Sequence, residues 1–380
     1  MGRHFLQIPG PTDVPDRVLR AIARPTIDHR GPAFARLAGE VLERLQAVFR
    51  TRHPVIVYPS SGTGAWEAAL VNTLSPGDRV LAFETGHFSA LWCAMAARLG
   101  LVVDLVPGDW RHGADPGAIA ERLTAAHAAV MVVHNETSTG VRSRIPEIRA
   151  AVDRTGHSPL LLVDTISSLG SMDYRHDEWG VDVSVGCSQK GLMLPPGIGL
   201  NAVSPKALAH RGRLPRSYWD WEPVIAANRD GFFPYTPPTN LLYGLRESLV
   251  MLLEEEGLSE VFRRHDRHAE ATRRAVRAWG LEVVCADERE HSSSLTAVLT
   301  PDGHDADAVR RLVLERYDMS LGTGLGRLAG RAFRIGHLGH FNDLTLAGTL
   351  SGVEMGLRAA GVPIEEVGVR AALARLEESA

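Results

Sequence analysis

The chain has 380 residues and a mass of 41.2 kDa, which is enough to bury a sizeable core and exceeds one average domain. Hydrophobic residues make up 44% and charged residues 23%, which excludes wholesale disorder, and the formal net charge of −4 excludes the overall basic charge of a nucleic-acid binder. No apolar run is long enough to span a bilayer, and three cysteines far apart argue against a disulfide framework or a zinc cluster.

The N-terminal sequence MGRHFLQIPGPTDVP (1–15) lacks the charged-then-apolar pattern of a signal peptide, so we expect a cytoplasmic protein. From about residue 54 to 205, short apolar runs alternate with amphipathic stretches of helical periodicity, which predicts an α/β domain with a mainly parallel sheet. The predicted strands are PVIVYP (54–59), RVLAF (79–83), LVVDLV (101–106), AVMVV (129–133), LLLVD (160–164), VDVSVG (181–186) and GLNAV (199–203).

The pattern changes near residue 207, where a stretch rich in Arg, Pro and aromatic residues predicts irregular connecting chain. A leucine-rich helix is predicted over 240–256, with Gly257 as its stop. A smaller α/β domain should follow, with strands near 281–285, 294–299 and 332–335. We predict an N-terminal segment near the active site over 1–15, a large domain over 16–250 and a small domain over 251–380.

In open α/β sheets ligands bind beyond the carboxyl ends of the strands, and polar groups recur there in this chain. After the first predicted strand, Ser60-Ser61-Gly62-Thr63-Gly64 leads into a helical pattern, which suits either a phosphate at the helix N-terminus or an ordinary capped helix. Asp164 ends a second strand, where it is either a cap, an ion-pair partner or a carboxylate that holds a proton on a heterocyclic nitrogen.

Lysine is rare in this chain, because Lys190 and Lys206 are the two lysines among 41 basic residues. Only an amine can lose its proton and form a Schiff base, so a retained lysine is a candidate for that chemistry. Lys190 follows a buried-type strand, whereas Lys206 follows Ser204-Pro205 and is predicted to lie at a solvated helix start. A phosphate turn, a strand-end Asp and a strand-end Lys together predict a pyridoxal 5′-phosphate site.

The chain resembles the class V aminotransferases of fold type I, in their serine–glyoxylate and alanine–glyoxylate branch. The resemblance covers nearly the whole chain and implies a large domain with a mainly parallel seven-stranded sheet plus a smaller C-terminal α/β domain. The matching segments are IPGPTDVP (8–15), SSGTGAWEAALVNTLSPGD (60–78), HNETSTGV (134–141), LLLVDTISSLGS (160–171), GCSQKGLMLPPG (186–197), YTPPTNLLYGLRE (235–247) and FRIGHLG (333–339).

The resemblance implies roles for named residues, and a homodimer or higher oligomer with shared active sites. Lys190 would form the Schiff base and Asp164 would pair with the pyridine nitrogen. Arg334 would bind the substrate carboxylate, with Pro11 in a segment over the substrate. The cofactor contacts would be Ser61, Gly62, Thr63 and Gln189 at the phosphate, Ile166 and Phe88 (or His87) at the ring, Thr139, and Thr236 from the neighbouring subunit. Phe233 stands where related enzymes have a phosphate-binding Tyr, and Tyr235 lies close by.

The activity implied is transfer of an amino group from L-serine or L-alanine to glyoxylate. The first alternative is an aspartate–glyoxylate aminotransferase, for which His29 and Arg30 could bind a second carboxylate. A cysteine desulfurase would need a mobile catalytic Cys, whereas Cys285 follows an apolar run typical of the core. A catalytically silent binding protein of this fold would lack the Lys or the Asp. The His-rich segment RRHDRH (263–268) is predicted to lie on an exposed helix face rather than at a metal site.

Overall fold

The computed structural model describes residues 2–378. Its strands are β1 Phe5–Gln7, β2 Val55–Ser60, β3 Arg79–Phe83, β4 Val102–Val106, β5 His127–Val133, β6 Asn135–Glu136, β7 Val141–Arg142, β8 Leu160–Asp164, β9 Val183–Cys187, β10 Gly197–Val203, β11 Glu282–Val283, β12 Leu295–Leu299, β13 Met319–Thr323 and β14 Ala332–Gly336. Its helices are α1 Asp16–Ile22, α2 Pro32–Phe49, α3 Gly62–Thr73, α4 His87–Arg98, α5 Pro116–Arg122, α6 Ile145–Arg154, α7 Pro205–Ala209, α8 Trp221–Asn228, α9 Thr239–Val250, α10 Leu258–Ala278, α11 Ala306–Tyr317, α12 Asp343–Ala359 and α13 Gly368–Glu377.

A seven-stranded sheet in the order β2-β10-β9-β8-β5-β3-β4 forms the centre of the large domain. The pairs β3–β4, β3–β5, β5–β8 and β8–β9 are parallel, and only β10 runs against its two neighbours. Every residue of β8 and β9 is buried, as expected for strands covered by helices on both faces. The predicted mainly parallel sheet is confirmed, and each of its seven predicted strands is present.

The two faces of this sheet bury separate apolar clusters. One contains residues of α2, α6 and α9, and the other contains residues of α3 and α4. Because six strands point the same way, their carboxyl ends meet at one edge of the sheet, and the loops that follow them are brought together there.

The small domain contains a five-stranded sheet in the order β1-β13-β14-β12-β11. The N-terminal strand β1 pairs in parallel with β13, so residues 5–7 belong to this sheet although they come first in the chain. Helices α10, α11, α12 and α13 supply apolar residues to its core. The domain limits at 15/16 and 250/251 stay a prediction, and residues 1 and 379–380 of those ranges lie outside the described residues.

Three expectations need correction. The stretch after residue 207 is not wholly irregular, because α8 forms within it where Asp220 accepts a hydrogen bond from the Glu222 N–H. The leucine-rich helix is α-helical only as far as residue 250. A π-helical turn over Met251–Glu255 then follows it, before Gly257. Within 263–268, His265 and His268 are fully buried rather than exposed, because α10 packs that face against the rest of the small domain. Across residues 2–378 no helix is long and apolar enough to cross a bilayer.

Candidate active site

Lys190 lies in the turn that follows β9, at the carboxyl edge of the large sheet. Its side chain is buried, and its Nζ donates a hydrogen bond to the carbonyl of Pro9. Thr12 anchors the N-terminal segment on the same turn, since its hydroxyl donates to the Lys190 carbonyl at 3.1 Å. A side chain at Gly10 would come within 2.6 Å of Lys190 Nζ, and Gly10 has φ +100°, so glycine is required there.

Burial lowers the pKa of Lys190 to about 8, and the nearby Arg334 guanidinium acts in the same direction. Lys206 differs from Lys190 in position and in contacts. It lies in the first turn of α7, and its Nζ donates to the Pro159 carbonyl at 2.6 Å and to the Asp182 carboxylate at 3.3 Å. Its side chain is 41% exposed. Of the two lysines, Lys190 is therefore the one that lies buried at the edge of the sheet where ligands bind.

Asp164 ends β8 and is buried beside Lys190 in the neighbouring strand-end turn. The Ile166 N–H donates to its Oδ1 at 2.6 Å, and the Trp66 indole N–H donates to its Oδ2 at 3.0 Å. Burial raises the pKa of Asp164 to about 7, while these two hydrogen bonds oppose the rise. The carboxylate keeps lone pairs that can accept a further donor.

The turn between β2 and α3 is the predicted phosphate site. Helix α3 begins at Gly62, and its N-cap residue Ser61 makes no side-chain capping hydrogen bond. Ser61 and Thr63 are exposed, so two hydroxyls and the N–H groups of Thr63 and Gly64 are available to an anion, whereas the Gly62 N–H contacts the Cys187 sulfur. These donors fit a phosphate. The buried amide oxygen of Gln189 has no hydrogen-bond partner within residues 2–378, but an oxygen only accepts, so Gln189 could bind a phosphate only through its amide N–H groups.

Of the predicted ring contacts, Ile166 lies against this turn and Phe88 lies in α4. The Ile166 side chain lies so close to Gly62 that a Cβ on that glycine would collide with it. Phe88 is in the first turn of α4, and the neighbouring His87 ring contacts it edge-on with centroids 5.5 Å apart. His87 faces the small domain, since a Cβ on Gly326 would lie 3.4 Å from its Nδ1. Of these residues, Ile166 contacts Asp164 directly, through its backbone N–H.

Arg334 on β14 brings the small domain to the site. The side chain is buried; its Nε donates to the Thr323 carbonyl and its Nη1 to the Thr137 carbonyl, both at 2.8 Å. Within residues 2–378 no carboxylate forms an ion pair with it. Burial lowers the pKa of Arg334 to about 10, partly offset by the buried Glu136. A buried cation held only by carbonyls is suited to receive an anionic ligand.

The remaining predicted residues form no hydrogen bond with the side chains of Lys190 or Asp164 within residues 2–378. The Thr139 hydroxyl donates to the Thr85 carbonyl at 3.4 Å, and it is Thr137 from the same segment that contacts Arg334. Pro11 is exposed in the segment over Lys190, and Thr236 is exposed in the single chain. The Tyr235 hydroxyl donates to the Val57 carbonyl at 2.7 Å, which commits it within its own subunit.

Sequence reasoning missed three residues that the structure brings to the site. Thr137 meets Arg334, Glu136 is fully buried beside the start of α4, and Trp66 donates to Asp164. A signal existed for Trp66, because it lies four residues after Gly62 and so shares its helix face. No such signal existed for Glu136 and Thr137, whose contacts depend on residues about 50 to 200 positions away.

Comparison with known proteins agrees with this geometry. The sequence profile of the family described as aminotransferase class V matches residues 4–326. The chain is 47% identical to the serine–glyoxylate aminotransferase of Methylorubrum extorquens over 100% of this chain and 97% of that protein. It is 45% identical to the L-aspartate–glyoxylate aminotransferase of Paracoccus denitrificans, over 94% of this chain and 92% of that one.

Among solved structures, the chain superimposes on the pyridoxamine–pyruvate aminotransferase of Mesorhizobium loti with a TM-score of 0.91. That match has 30% sequence identity and covers 99% of this chain and 97% of the other. Sequence, fold and the buried Lys190–Asp164 arrangement all agree. The chain belongs to the class V aminotransferases, which are enzymes that depend on pyridoxal 5′-phosphate.

Proposed function

We propose that this enzyme transfers the amino group of a small L-amino acid, L-serine or L-alanine, to glyoxylate. The products are glycine and hydroxypyruvate or pyruvate. The observation that carries the proposal is Arg334, a buried guanidinium without a carboxylate partner within residues 2–378, beside the amine of Lys190. Similarity over nearly the full length to a serine–glyoxylate aminotransferase supports the same choice of substrates.

Each proposed residue has a distinct task. Ser61, Gly62, Thr63 and Gln189 would hold the cofactor phosphate, and Asp164 would accept a hydrogen bond from the cofactor's ring nitrogen. When bound, pyridoxal 5′-phosphate supplies an electron sink for cleavage of the substrate Cα–H bond. Arg334 binds the α-carboxylate of the amino acid in the first half-reaction. It binds the carboxylate of glyoxylate in the second half-reaction.

Lys190 is the residue that would hold the cofactor, and as a free amine it would move a proton at the substrate Cα. With a pKa lowered to about 8, about a tenth of its amine is unprotonated at pH 7, far more than for an ordinary lysine. The freed Nζ can therefore take the proton from the substrate Cα and return it. Ile166 and Phe88 would contact the cofactor ring, and Thr139 is retained as a proposed contact. Thr137 is added because its carbonyl accepts a hydrogen bond from Arg334.

Arg310 does not offer a second cation beside Arg334 for a dicarboxylic donor. Its charge acts on Arg334, but its guanidinium is paired with Asp307 at 2.6 Å. Aspartate remains the second candidate, because a relative named L-aspartate–glyoxylate aminotransferase is 45% identical.

Cysteine desulfurase activity is not favoured. Cys285 is buried, its thiol donates to the Asp287 carbonyl at 3.4 Å, and burial raises its pKa to about 12. Such a thiol is neither mobile nor ionised near neutral pH. Both Lys190 and Asp164 are present and buried together, which argues equally against a catalytically silent protein.

We further propose a cytoplasmic homodimer in which Thr236 of each chain binds the phosphate of the other. The exposure of Thr236 in the single chain supports this role, because the residue is free to meet a neighbouring subunit. Three free, buried cysteines suit a reducing compartment.

The proposed activity is tested with a panel of amino donors against glyoxylate, with glycine formation measured. We expect L-serine or L-alanine to give the largest kcat/KM. Arg334→Gln should raise the KM for donor and glyoxylate together, because both carboxylates lose the same partner. A preference for L-aspartate would establish the second candidate instead, and an absence of glycine with every donor would refute both.

A further inference from the structure

Trp66 lies against the carboxylate that faces the cofactor. It is in α3, one helical turn after Gly62, and both it and Asp164 are almost fully buried. Its indole N–H donates to Asp164 Oδ2 at 3.0 Å, while the Ile166 N–H donates to Oδ1 at 2.6 Å. Each carboxylate oxygen therefore accepts one donor, and the two donors come from different elements of the fold.

We propose that Trp66 is a positioning residue that keeps Asp164 ionised and aimed at the cofactor's ring nitrogen. An indole N–H can donate but cannot accept, so it stabilises the carboxylate and opposes a proton on the same oxygen. Within residues 2–378, Trp66 supplies the only side-chain hydrogen bond to Asp164. The inference rests on the proposed role of Asp164 and does not depend on which amino acid is the donor.

The groups around Asp164 determine how strongly the Trp66 hydrogen bond affects the pKa of this carboxyl. Burial raises the pKa of Asp164 to about 7, and the buried Glu136 acts in the same direction. The hydrogen bonds from Ile166 and Trp66, together with the charge of Lys190, oppose that rise. These three groups stabilise the ionised carboxylate against its desolvation. Removal of the Trp66 hydrogen bond should therefore raise the pKa of Asp164 measurably.

The other titratable groups around Asp164 are neutral near pH 7 and cannot replace the lost donor as charges. Burial raises the pKa of Cys187 to about 12 and also raises the pKa of Tyr174. Burial lowers the pKa of His134 to about 3, and its backbone N–H already donates to the Asp164 carbonyl at 2.9 Å.

Loss of the indole N–H should act on turnover more than on substrate binding. Without that donor, Asp164 becomes a stronger base and takes a larger share of the proton on the cofactor's ring nitrogen. A less positive ring withdraws electrons less strongly from the substrate Cα–H bond. The carboxylate contact with Arg334 is unaffected, so kcat should fall while the KM for the donor stays unchanged.

The chain offers a matched control, because Trp92 stacks on Trp66 with ring centroids 5.9 Å apart and an interplanar angle of 14°. Trp92 is equally buried, and its indole nitrogen has no hydrogen-bond partner in the described part of the chain. Trp66→Phe and Trp92→Phe therefore make the same change in the same apolar cluster. Only Trp66→Phe removes a donor from Asp164.

The test follows the infrared band of the protonated Asp164 carboxyl against pH in the holoenzymes, with Asp164→Asn used to assign the band. In Trp66→Phe we expect the midpoint to move up by about one to two pH units, the equivalent of one hydrogen bond to a charged group. The acid limb of kcat should move with it, and Trp92→Phe should behave as wild type. An unmoved midpoint in Trp66→Phe, or equal shifts in both variants, would overturn the inference.

If Trp66→Phe does not fold, the indole N–H resonances of the wild-type holoenzyme give a second measurement. One resonance should titrate with the Asp164 carboxyl and lose that titration in Asp164→Asn; no titrating resonance would refute the contact. Neither measurement depends on donor preference. A failed donor panel with a shifted midpoint would therefore reject the proposed substrates and leave the role of Trp66 intact.

Discussion

Burial acts in opposite directions on the pKa values of Lys190 and Asp164, the two residues proposed to hold the cofactor. It lowers the pKa of Lys190 to about 8 and raises that of Asp164 to about 7, because in each case the charged form is poorly solvated. The lowered pKa of Lys190 and the raised pKa of Asp164 both come close to neutral pH. An amine that is readily deprotonated suits proton transfer under cellular conditions, whereas Asp164 depends on its hydrogen-bond donors to stay ionised.

Lys190→Arg tests the amine while keeping a positive charge and a similar length. A guanidinium does not lose its proton, so it neither bonds the cofactor nor acts as a base. We expect transamination to fall by about two to four orders of magnitude. Borohydride treatment should no longer attach the cofactor to the chain, as judged by mass spectrometry.

The matched control is Lys206→Arg, which changes the chain's other lysine on the surface side of α7. It should keep both the covalent attachment and the activity. A Lys190→Arg enzyme that still transaminates at the wild-type rate would show that Lys190 is not the reactive amine.

At the scale of secondary structure, helix α4 depends on a carboxylate that is distant in sequence. Glu136 is fully buried and accepts hydrogen bonds from the Phe88 N–H at 3.2 Å and the Ser89 N–H at 3.0 Å. The Ser138 hydroxyl donates to the same carboxylate at 2.7 Å. The α4 N-cap residue, Gly86, has no side chain that could do this, so Glu136 satisfies the N-terminus and the positive end of the helix dipole.

Glu136→Gln keeps the shape of this side chain, but it removes the charge and turns one acceptor into a donor that faces N–H groups. We expect the free energy of unfolding to fall by about 1–3 kcal/mol, measured by urea denaturation. Cofactor affinity should fall as well, because Phe88, the proposed ring contact, lies in the first turn of the helix whose N-terminus Glu136 satisfies. The exposed Glu121→Gln on α5 is the control and should change neither quantity; equal stability of the two variants would contradict this role.

The elements that sequence predicted well are those whose signal is local. The strands β8 and β9 are continuous apolar runs, so the positions of Asp164 at the end of β8 and of Lys190 just after β9 were predictable from the sequence. Helix α8 and the burial of His265 were missed, because each depends on partners elsewhere in the fold. His265, for example, is buried with its Nε2 accepting from the Gly339 N–H at 3.1 Å, 74 residues away.

For the whole molecule, the active site depends on how the two domains meet. Arg334 belongs to the small sheet, yet one of its two hydrogen bonds goes to Thr137 of the large domain. A second contact lies nearby, where Arg327 pairs with Glu84 at 2.6 Å and its guanidinium lies 5.1 Å from the Trp110 ring centroid. No periodicity or motif in the sequence encodes such contacts between the domains. The candidate residues could therefore be named from the sequence, but the distances between them could not be predicted.

The proposed dimer adds a further level, since each site would combine Lys190 of one chain with Thr236 of its neighbour. Thr236→Asp should weaken cofactor binding in the homodimer, because a carboxylate repels the phosphate. Mixed dimers of Lys190→Ala and Thr236→Asp chains would contain one site with both residues intact. Random assembly should therefore restore activity in roughly a quarter of all sites, although each parent is inactive or weak.

That recovery is measured after co-expression with two different tags, with the mixed dimer isolated and its glycine formation compared with the parents. The mixed dimer should have about half the activity of wild type per dimer, from its one intact site. Co-expressed Lys190→Ala and Lys190→Arg chains serve as the control and should recover nothing, because neither brings a reactive amine. If the mixed dimer is no more active than the mean of its parents, or if the enzyme sediments as an active monomer, Thr236 acts within its own chain and the two sites are independent.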